Sequence, residues 1–376
     1  MPSPGVILSP IVEQDIARIL EAVGGDFRRF SGQPLLLTGG TGFVGQYLLR
    51  TLLALNDRVL SEPCRIYAVT RNPGLAQARL PHLAHRPDVV LLEGDVRSIR
   101  LPSVPWRFVI HAAGPSDARV FSTDPLGTVD TIVEGTKAIL RAAGEAKTDA
   151  CLFVSSGAVY GVQPPDRARL DEAYQGGPDL ISVKSCYAEA KRYAEMLCRI
   201  HAEQQGVPVS IGRLFTLVGP YQELNSTSAV VDFIRQALDG DTIRIKDDGQ
   251  TVRSYCYIAD AVIGLWKVLL SRPAGGVFNI GCDMEAVTFV ELAQRIGRCL
   301  GKPLQIVVEG APASGILGRR YVPDVTRLSR EIGFKPATSL DEALRRTITW
   351  MQGQRKGSQP YATPGAETPS AGVHVE

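Results

Sequence analysis

No apolar run in this sequence approaches the roughly 20 residues needed to span a bilayer, so no membrane partner is expected. Nor does one charge dominate. Lysine and arginine number 41 against 39 aspartates and glutamates, a net charge of +2, and so weak a field does not favour nucleic acid. The opening stretch, MPSPGVILSPIVEQ, lacks a basic segment ahead of a long apolar one and does not read as a secretion signal. The seven cysteines (Cys64, Cys151, Cys186, Cys198, Cys256, Cys282 and Cys299) form no CxxC pair, and most fall inside apolar segments. They read as reduced, buried residues of a cytoplasmic protein, not as a disulfide framework or a metal site. There is no internal repeat.

What is present is core-forming material. Of 376 residues, 44% are hydrophobic, enough for one large or two intimate domains. Residues 10–22 place Ile11, Ile16, Ile19 and Leu20 near helical spacing, so residues 1–33 are expected to be an extension carrying a short amphipathic helix. From Pro34 onward, apolar strand-like runs (PLLLTG, RIYAVTR, VVLLEGD, RFVIHAAG, CLFVSSG, VSIGRLF) alternate with helical patterns at 43–54, 128–143 and 187–203. Continuous apolar strands separated by helices predict a doubly wound α/β fold, a parallel sheet covered on both faces. After Phe215 the rhythm changes to mixed short strands and helices. This predicts a smaller lobe from 216–250 and 282–351, interleaved with a sheet domain from 34–215 and about 251–281. Residues 352–376 lack apolar periodicity and are expected to be a disordered tail.

Within LLLTGGTGFVGQYLLRTLL, Gly39, Gly42 and Gly45 are spaced three apart, after a strand and at the opening of a helix. That is the context a dinucleotide site requires. Gly39 permits the tight turn, Gly42 lets backbone approach a pyrophosphate, and Gly45 lets helix and strand pack closely. The helix start at Phe43 and Val44 supplies free N–H groups and partial positive charge. The second strand ends AVTRNP, so Thr70, Arg71 and Asn72 stand where an acidic residue would bind the 2′-hydroxyl of NAD. The missing carboxylate and the presence of Arg71 incline the reading from NAD towards NADP. The alternative is an ordinary loop arginine against adenine. Asp95 and Val96 sit where an adenine contact would be made.

SCYAEAKRYAE places Tyr187 and Lys191 four residues apart on one helical face. A phenol with a pKa near 10 is a poor base at neutral pH. A nearby ammonium and the positive ring of an oxidised nicotinamide would favour the phenolate. Tyr187 could then exchange a proton with a sugar hydroxyl, and Lys191 would also hold the nicotinamide ribose. By itself the pair reads better as a chance pair on a surface helix. CLFVSSGAVYG adds Ser155 and Ser156 at a strand end, where the sheet edge meets the cofactor.

In this order, TGGTGFVG, GDV at 94–96, HAAG at 111–114, SSGAVYG, YAEAK, RLFTLVGPY, DDGQTVRSYCYIADA and VFNIG resemble the extended short-chain dehydrogenase/reductase superfamily, its nucleotide-sugar epimerases and dehydratases. The resemblance runs from about residue 34 to 351. It implies a Rossmann-type sheet with a C-terminal substrate lobe, a nucleotide-diphosphate sugar as substrate, and a homodimer through helices near 128–143 and 187–203. It selects Ser156 as the catalytic serine, with Tyr187 as base and Lys191 as its partner. Ala112, Ala113 and Gly114 match the turn that passes the cofactor. Arg253 matches an arginine on the diphosphate, a natural guanidinium task. Arg319 or Arg320, with Asp324, matches a late pair gripping the nucleotide. Thr216 and Ile132 stand where many members have asparagine.

In that family the first step is commonly oxidation at C4 of the sugar. Dehydratases carry Asp-Glu directly after the catalytic Ser/Thr, and decarboxylating members usually carry a glutamate there. Here those positions are Gly157 and Ala158. The form resembles an epimerase most, while a dehydratase or an NADPH-using 4-ketoreductase is the alternative. A non-catalytic NAD(P)-sensing protein is the remote alternative, and the intact Ser156, Tyr187 and Lys191 set weighs against it. Six further residues invite a chemical reading. Cys186 is either a second proton-transfer group or a small residue beside the site. His111 is either a base or a packing residue, the latter favoured. Ser116 and Asp117 could reach the sugar. Asp171 or Glu172 could supply a base or serve only as a local cap.

Overall fold

The computed structural model describes residues 9–115, 117–271, 275–311 and 320–356. Seven strands build the central sheet: β1 (Pro34–Thr38), β2 (Arg65–Thr70), β3 (Val89–Glu93), β4 (Phe108–His111), β5 (Ala150–Ser156), β6 (Val209–Leu214) and β7 (Gly276–Ile280). Their order across the sheet is β7-β6-β5-β4-β1-β2-β3, and every neighbouring pair is parallel. Leu35, Leu36, Leu37, Val109, Ile110 and Leu152 are fully buried, as strands covered on both faces must be. The strand order reverses between β1 and β4. This switch point opens a crevice at their C-terminal ends, where Gly39 and Ala112–Gly114 lie.

One face carries α1 (Pro10–Val23), α2 (Phe43–Arg58) and α5 (Ile258–Leu270). The other carries α3 (Pro125–Glu145) and α4 (Cys186–Gln205), packed against each other. The predicted helix near the N-terminus is present and is part of the core, with Val12, Ile16, Ile19 and Val23 buried. The turn after it inserts Phe27 and Phe30 edge-on against Trp266, at 5.5 and 5.6 Å between ring centres.

The smaller lobe joins helices Ala229–Asp239 and Phe289–Leu300 to a parallel pair, Thr242–Ile245 with Gln305–Val308. A ribbon of 252–253, 287–288 and 320–321 ties it to the site. One boundary differs from the sequence reading. The last helix, α6 (Leu340–Lys356), continues past residue 351, where apolar periodicity stops. Its final polar turn is anchored by Arg355, paired with Asp239 at 2.9 Å. Residues 357–376 of the expected tail lie outside the described residues. Among the described residues, no helix is long and apolar enough to cross a membrane.

Candidate active site

A cavity of about 520 Å³ runs along the crevice, walled by Gly39, Gly42–Gly45, Ala112, Gly114, Ser156, Tyr187 and Lys191. Gly39 has φ of +75°, and a β-carbon there would lie 2.5 Å from the Ala112 carbonyl oxygen. A β-carbon on Gly45 would lie 1.8 Å from the Gly39 carbonyl oxygen, so only glycine lets α2 begin this close to β1. Gly42 differs. Its β-carbon would meet nothing nearer than 3.4 Å, which leaves its outer side open to the cavity. With the N–H groups of the first turn of α2, this cradle fits a dinucleotide pyrophosphate.

Ser156 ends β5, and its hydroxyl accepts from the Ala158 N–H at 3.1 Å. Burial raises the Tyr187 phenol above its ordinary pKa, and hydrogen bonding to Ser156 pulls it back. Lys191 lines the same cavity as Tyr187. Its Nζ donates to the Val154 carbonyl at 2.8 Å and lies 4.7 Å from the Phe153 ring centre. Burial pushes Lys191 down to about 8, with Glu195 opposing. Phe121 stacks on Tyr187, 4.3 Å between centres and 8° from parallel, and Cys186 Sγ lies 3.7 Å from the Phe121 carbonyl.

Behind these groups runs a buried polar chain. Ser155 donates to Glu195 at 2.6 Å, and Glu195 is gripped by the Arg213 guanidinium at 2.6 and 3.0 Å. Arg213 donates to the Tyr160 hydroxyl at 2.8 Å, which donates to Asn279 at 2.7 Å. The Asn279 N–H reaches Glu172 at 2.7 Å. Satisfied throughout, such a chain makes the floor under Ser156 rigid. Glu172 serves this chain, and Asp171 caps Ala173 at 3.0 Å.

His111 is structural, as favoured. It is buried between Thr38 at 2.7 Å and Thr136 at 3.2 Å, and burial, with Lys191 adding to it, pushes it down to about 3. Asp117 lines the cavity but is held by Arg119 at 2.7 and 3.1 Å. Thr216 also lines it, and Ala113 donates to Thr38 at 3.2 Å. Arg71 is exposed at the end of β2. Asp95 is hydrogen-bonded by Arg97, which with the Arg71 charge holds it low, and Val96 packs against Gly135. Arg253, Arg320 and Asp324 are not among the described residues of the cavity wall. Arg253 lies over the Tyr321 ring at 5.5 Å, Arg320 is in register with Val252, and Asp324 caps Thr326 at 2.7 Å. Ser116 and Arg319 lie outside the described residues.

Four residues escaped the sequence reading. Glu195 lies one turn beyond Lys191, so helical spacing could have found it. Arg79, which donates to the Thr41 carbonyl at 2.7 Å and pairs with Glu223 at 3.1 Å, has no local signal. Neither does Phe121, nor Tyr321, whose hydroxyl closes the space beside Gly157.

A sequence model of the NAD dependent epimerase/dehydratase family matches residues 35–281. UDP-glucuronic acid decarboxylase 5 of Arabidopsis thaliana is 30% identical over 317 residues, 84% of this chain and 88% of that protein. Among solved structures, a dTDP-glucose 4,6-dehydratase from Streptomyces venezuelae with NAD bound is 26% identical with a TM-score of 0.73, covering 88% of this chain and all of that one. A UDP-glucuronic acid 4-epimerase from Bacillus cereus, in complex with UDP-glucuronic acid and NAD, shares the fold at a TM-score of 0.73 and 22% identity, covering 86% of this chain and 100% of its own.

Proposed function

The chain belongs to the NAD-dependent epimerase/dehydratase family, and from that premise we propose a nucleotide-sugar epimerase that works through a transient keto-sugar, oxidised at C4 and reduced again from the other face. One observation carries this reading. Ser156, Tyr187 and Lys191 meet on the cavity wall, while the position after Ser156 has no room for an acid. A β-carbon on Gly157 would lie 2.4 Å from the Tyr321 hydroxyl. The wall's own carboxylates, Asp117 and Glu223, are engaged by Arg119 and Arg79.

NAD or NADP, held at the Gly39–Gly45 cradle and by Lys191, supplies reversible hydride acceptance when bound. A preference for NADP would rest on Arg71. Tyr187 takes the sugar hydroxyl proton and returns it. Ser156 bonds the same oxygen and keeps it beside the phenol. Phe121 holds the phenol ring in plane and shields it from water. The nucleotide diphosphate is assigned to Arg253 and its neighbours in the smaller lobe. Two copies are proposed to pair through α3 and α4.

A second reading draws on the decarboxylase relatives. A C4 ketone is β to the C6 carboxylate of a uronic acid, so loss of carbon dioxide needs no further protein carboxylate. The test is incubation with UDP-, dTDP-, CDP- and GDP-linked sugars and uronic acids, followed by mass spectrometry and nicotinamide absorbance. The expected product is an epimer of unchanged mass, with no net cofactor consumption, and Tyr187→Phe should lower the rate by about 100-fold or more. Loss of water, loss of carbon dioxide or steady use of reduced cofactor would replace the epimerase with a dehydratase, decarboxylase or ketoreductase. Turnover unaffected by Tyr187→Phe would remove the catalytic assignment.

A further inference from the structure

Charge is unevenly supplied along the cavity. Its wall holds two carboxylates, Asp117 and Glu223, and, among the described residues, two cations, Arg79 and Lys191. Asp117 is neutralised by Arg119 at 2.7 Å. Lys191 is tied to β5 through the Val154 carbonyl. Arg79 contacts the glycine loop: its Nη1 donates to the Thr41 carbonyl at 2.7 Å, and its Nη2 pairs with Glu223 at 3.1 Å. We propose that Arg79 is a cofactor-binding residue: its guanidinium supplies positive charge to the dinucleotide pyrophosphate at the glycine loop, and Glu223 competes with the pyrophosphate for it.

Local structure puts Arg79 there. After β2 the chain enters a short helix, Pro73–Arg79, capped by the Asn72 side chain, which accepts from the Leu75 N–H at 2.8 Å. Ala76 is the buried residue of that helix, and Arg79, three residues on, shares its inward face. The Arg79 carbonyl accepts from Arg50 of α2 at 3.3 Å, so its backbone is anchored to the helix that begins at the glycine loop. Glu223 is different. It lies on the segment between strand Leu217–Val218 and helix Ala229–Asp239, and its side chain is 47% exposed against 13% for Arg79. An ion pair open to water on one side contributes little by itself, so Glu223 is a weak competitor. The magnitudes show why a side-chain cation is needed. The free N–H groups opening α2 amount to about half a unit of positive charge, whereas a pyrophosphate carries two negative ones. A guanidinium adds a full unit and presents five N–H donors in a rigid fork suited to phosphate oxygens.

This inference rests on the reading of the Gly39–Gly45 turn as a dinucleotide seat, and not on which sugar reaction follows, so its test needs no sugar. The purified full-length protein, cleared of carried-over nucleotide with charcoal, is titrated with NAD and with NADP by calorimetry. Arg79→Gln should weaken both about tenfold or more, the size of one lost charge-assisted hydrogen bond. Arg79→Lys, which keeps the charge, should recover part of that loss. Glu223→Gln should act in the opposite direction and tighten both about threefold, an effect that shrinks as salt is added. If the pair only clasped two segments together, both substitutions would weaken binding alike, and that result would overturn the proposal. So would an affinity unchanged in Arg79→Gln. A loss confined to NADP would move Arg79 to the 2′-phosphate and overturn the pyrophosphate assignment. Circular dichroism checks that Arg79→Gln is folded. Should it not be, Glu223→Gln decides by its sign, because it alters an exposed carboxylate, and no tightening would overturn the proposal. Failure of the wild type to bind either cofactor would instead remove the dinucleotide seat itself, and this inference with it.

Discussion

A methyl group on Gly157 would lie 2.4 Å from the Tyr321 hydroxyl and 2.8 Å from the Phe215 ring, both in a packed floor with no slack. Gly157→Ala should therefore cost about 1–3 kcal/mol of overpacking strain. It should lower the thermal midpoint in scanning calorimetry without creating dehydratase activity, and a midpoint equal to wild type would show that Tyr321 moves freely. At this scale much was legible in advance. The glycine spacing, the Tyr187–Lys191 interval and the choice of Ser156 are local patterns, and helix and strand geometry carries them directly into space. Where the Lys191 ammonium points was not legible. Four-residue spacing puts it on the same face as Tyr187, and the Val154 carbonyl takes one of its three N–H groups.

Helix α1 is fastened at one buried carboxylate. Asp15 accepts from Tyr47 at 2.8 Å and Tyr257 at 2.6 Å, and pairs with Arg346 of α6 at 2.9 Å. It thereby connects α1 to the helix that begins at the glycine loop, to the strand before α5 and to the last helix. Asp15→Ala should strand Arg346 and cost about 3–5 kcal/mol, seen as a lower urea midpoint with an unchanged slope. A change below about 0.5 kcal/mol would mean that the apolar face alone holds α1. Periodicity located this helix because Ile16 and Ile19 mark its buried face. It passed over Asp15, because a buried charge breaks the apolar pattern and is explained only by partners more than thirty residues away.

For the whole molecule, the proposed dimer draws on the outer face of α4. There Tyr193, Met196 and Ile200 are 50%, 56% and 39% exposed, spaced three and four residues apart on one side of the helix. Light scattering should report twice the chain mass, and Met196→Glu should return the monomer with the fold intact by circular dichroism. A monomeric wild type would remove the pairing. The change of rhythm after Phe215 falls where the sixth strand of the sheet ends, at Leu214. The ribbon beyond it was not legible, because the 252–253 and 320–321 strands are two residues long, too short to carry a period.

By itself the sequence determined the doubly wound sheet, the family, the glycine turn at Gly39–Gly45 and the meeting of Ser156, Tyr187 and Lys191 on one wall. Each of these is written in contiguous residues whose spacing maps onto one helix, strand or turn. Only the tertiary structure decided what surrounds that set: Phe121 on Tyr187, the Glu195–Arg213 pair beneath, and the space beside Gly157 closed by Tyr321. These contacts join segments distant in the chain. Hydrogen-bond direction and steric room depend on where such segments meet, not on the local order of residues.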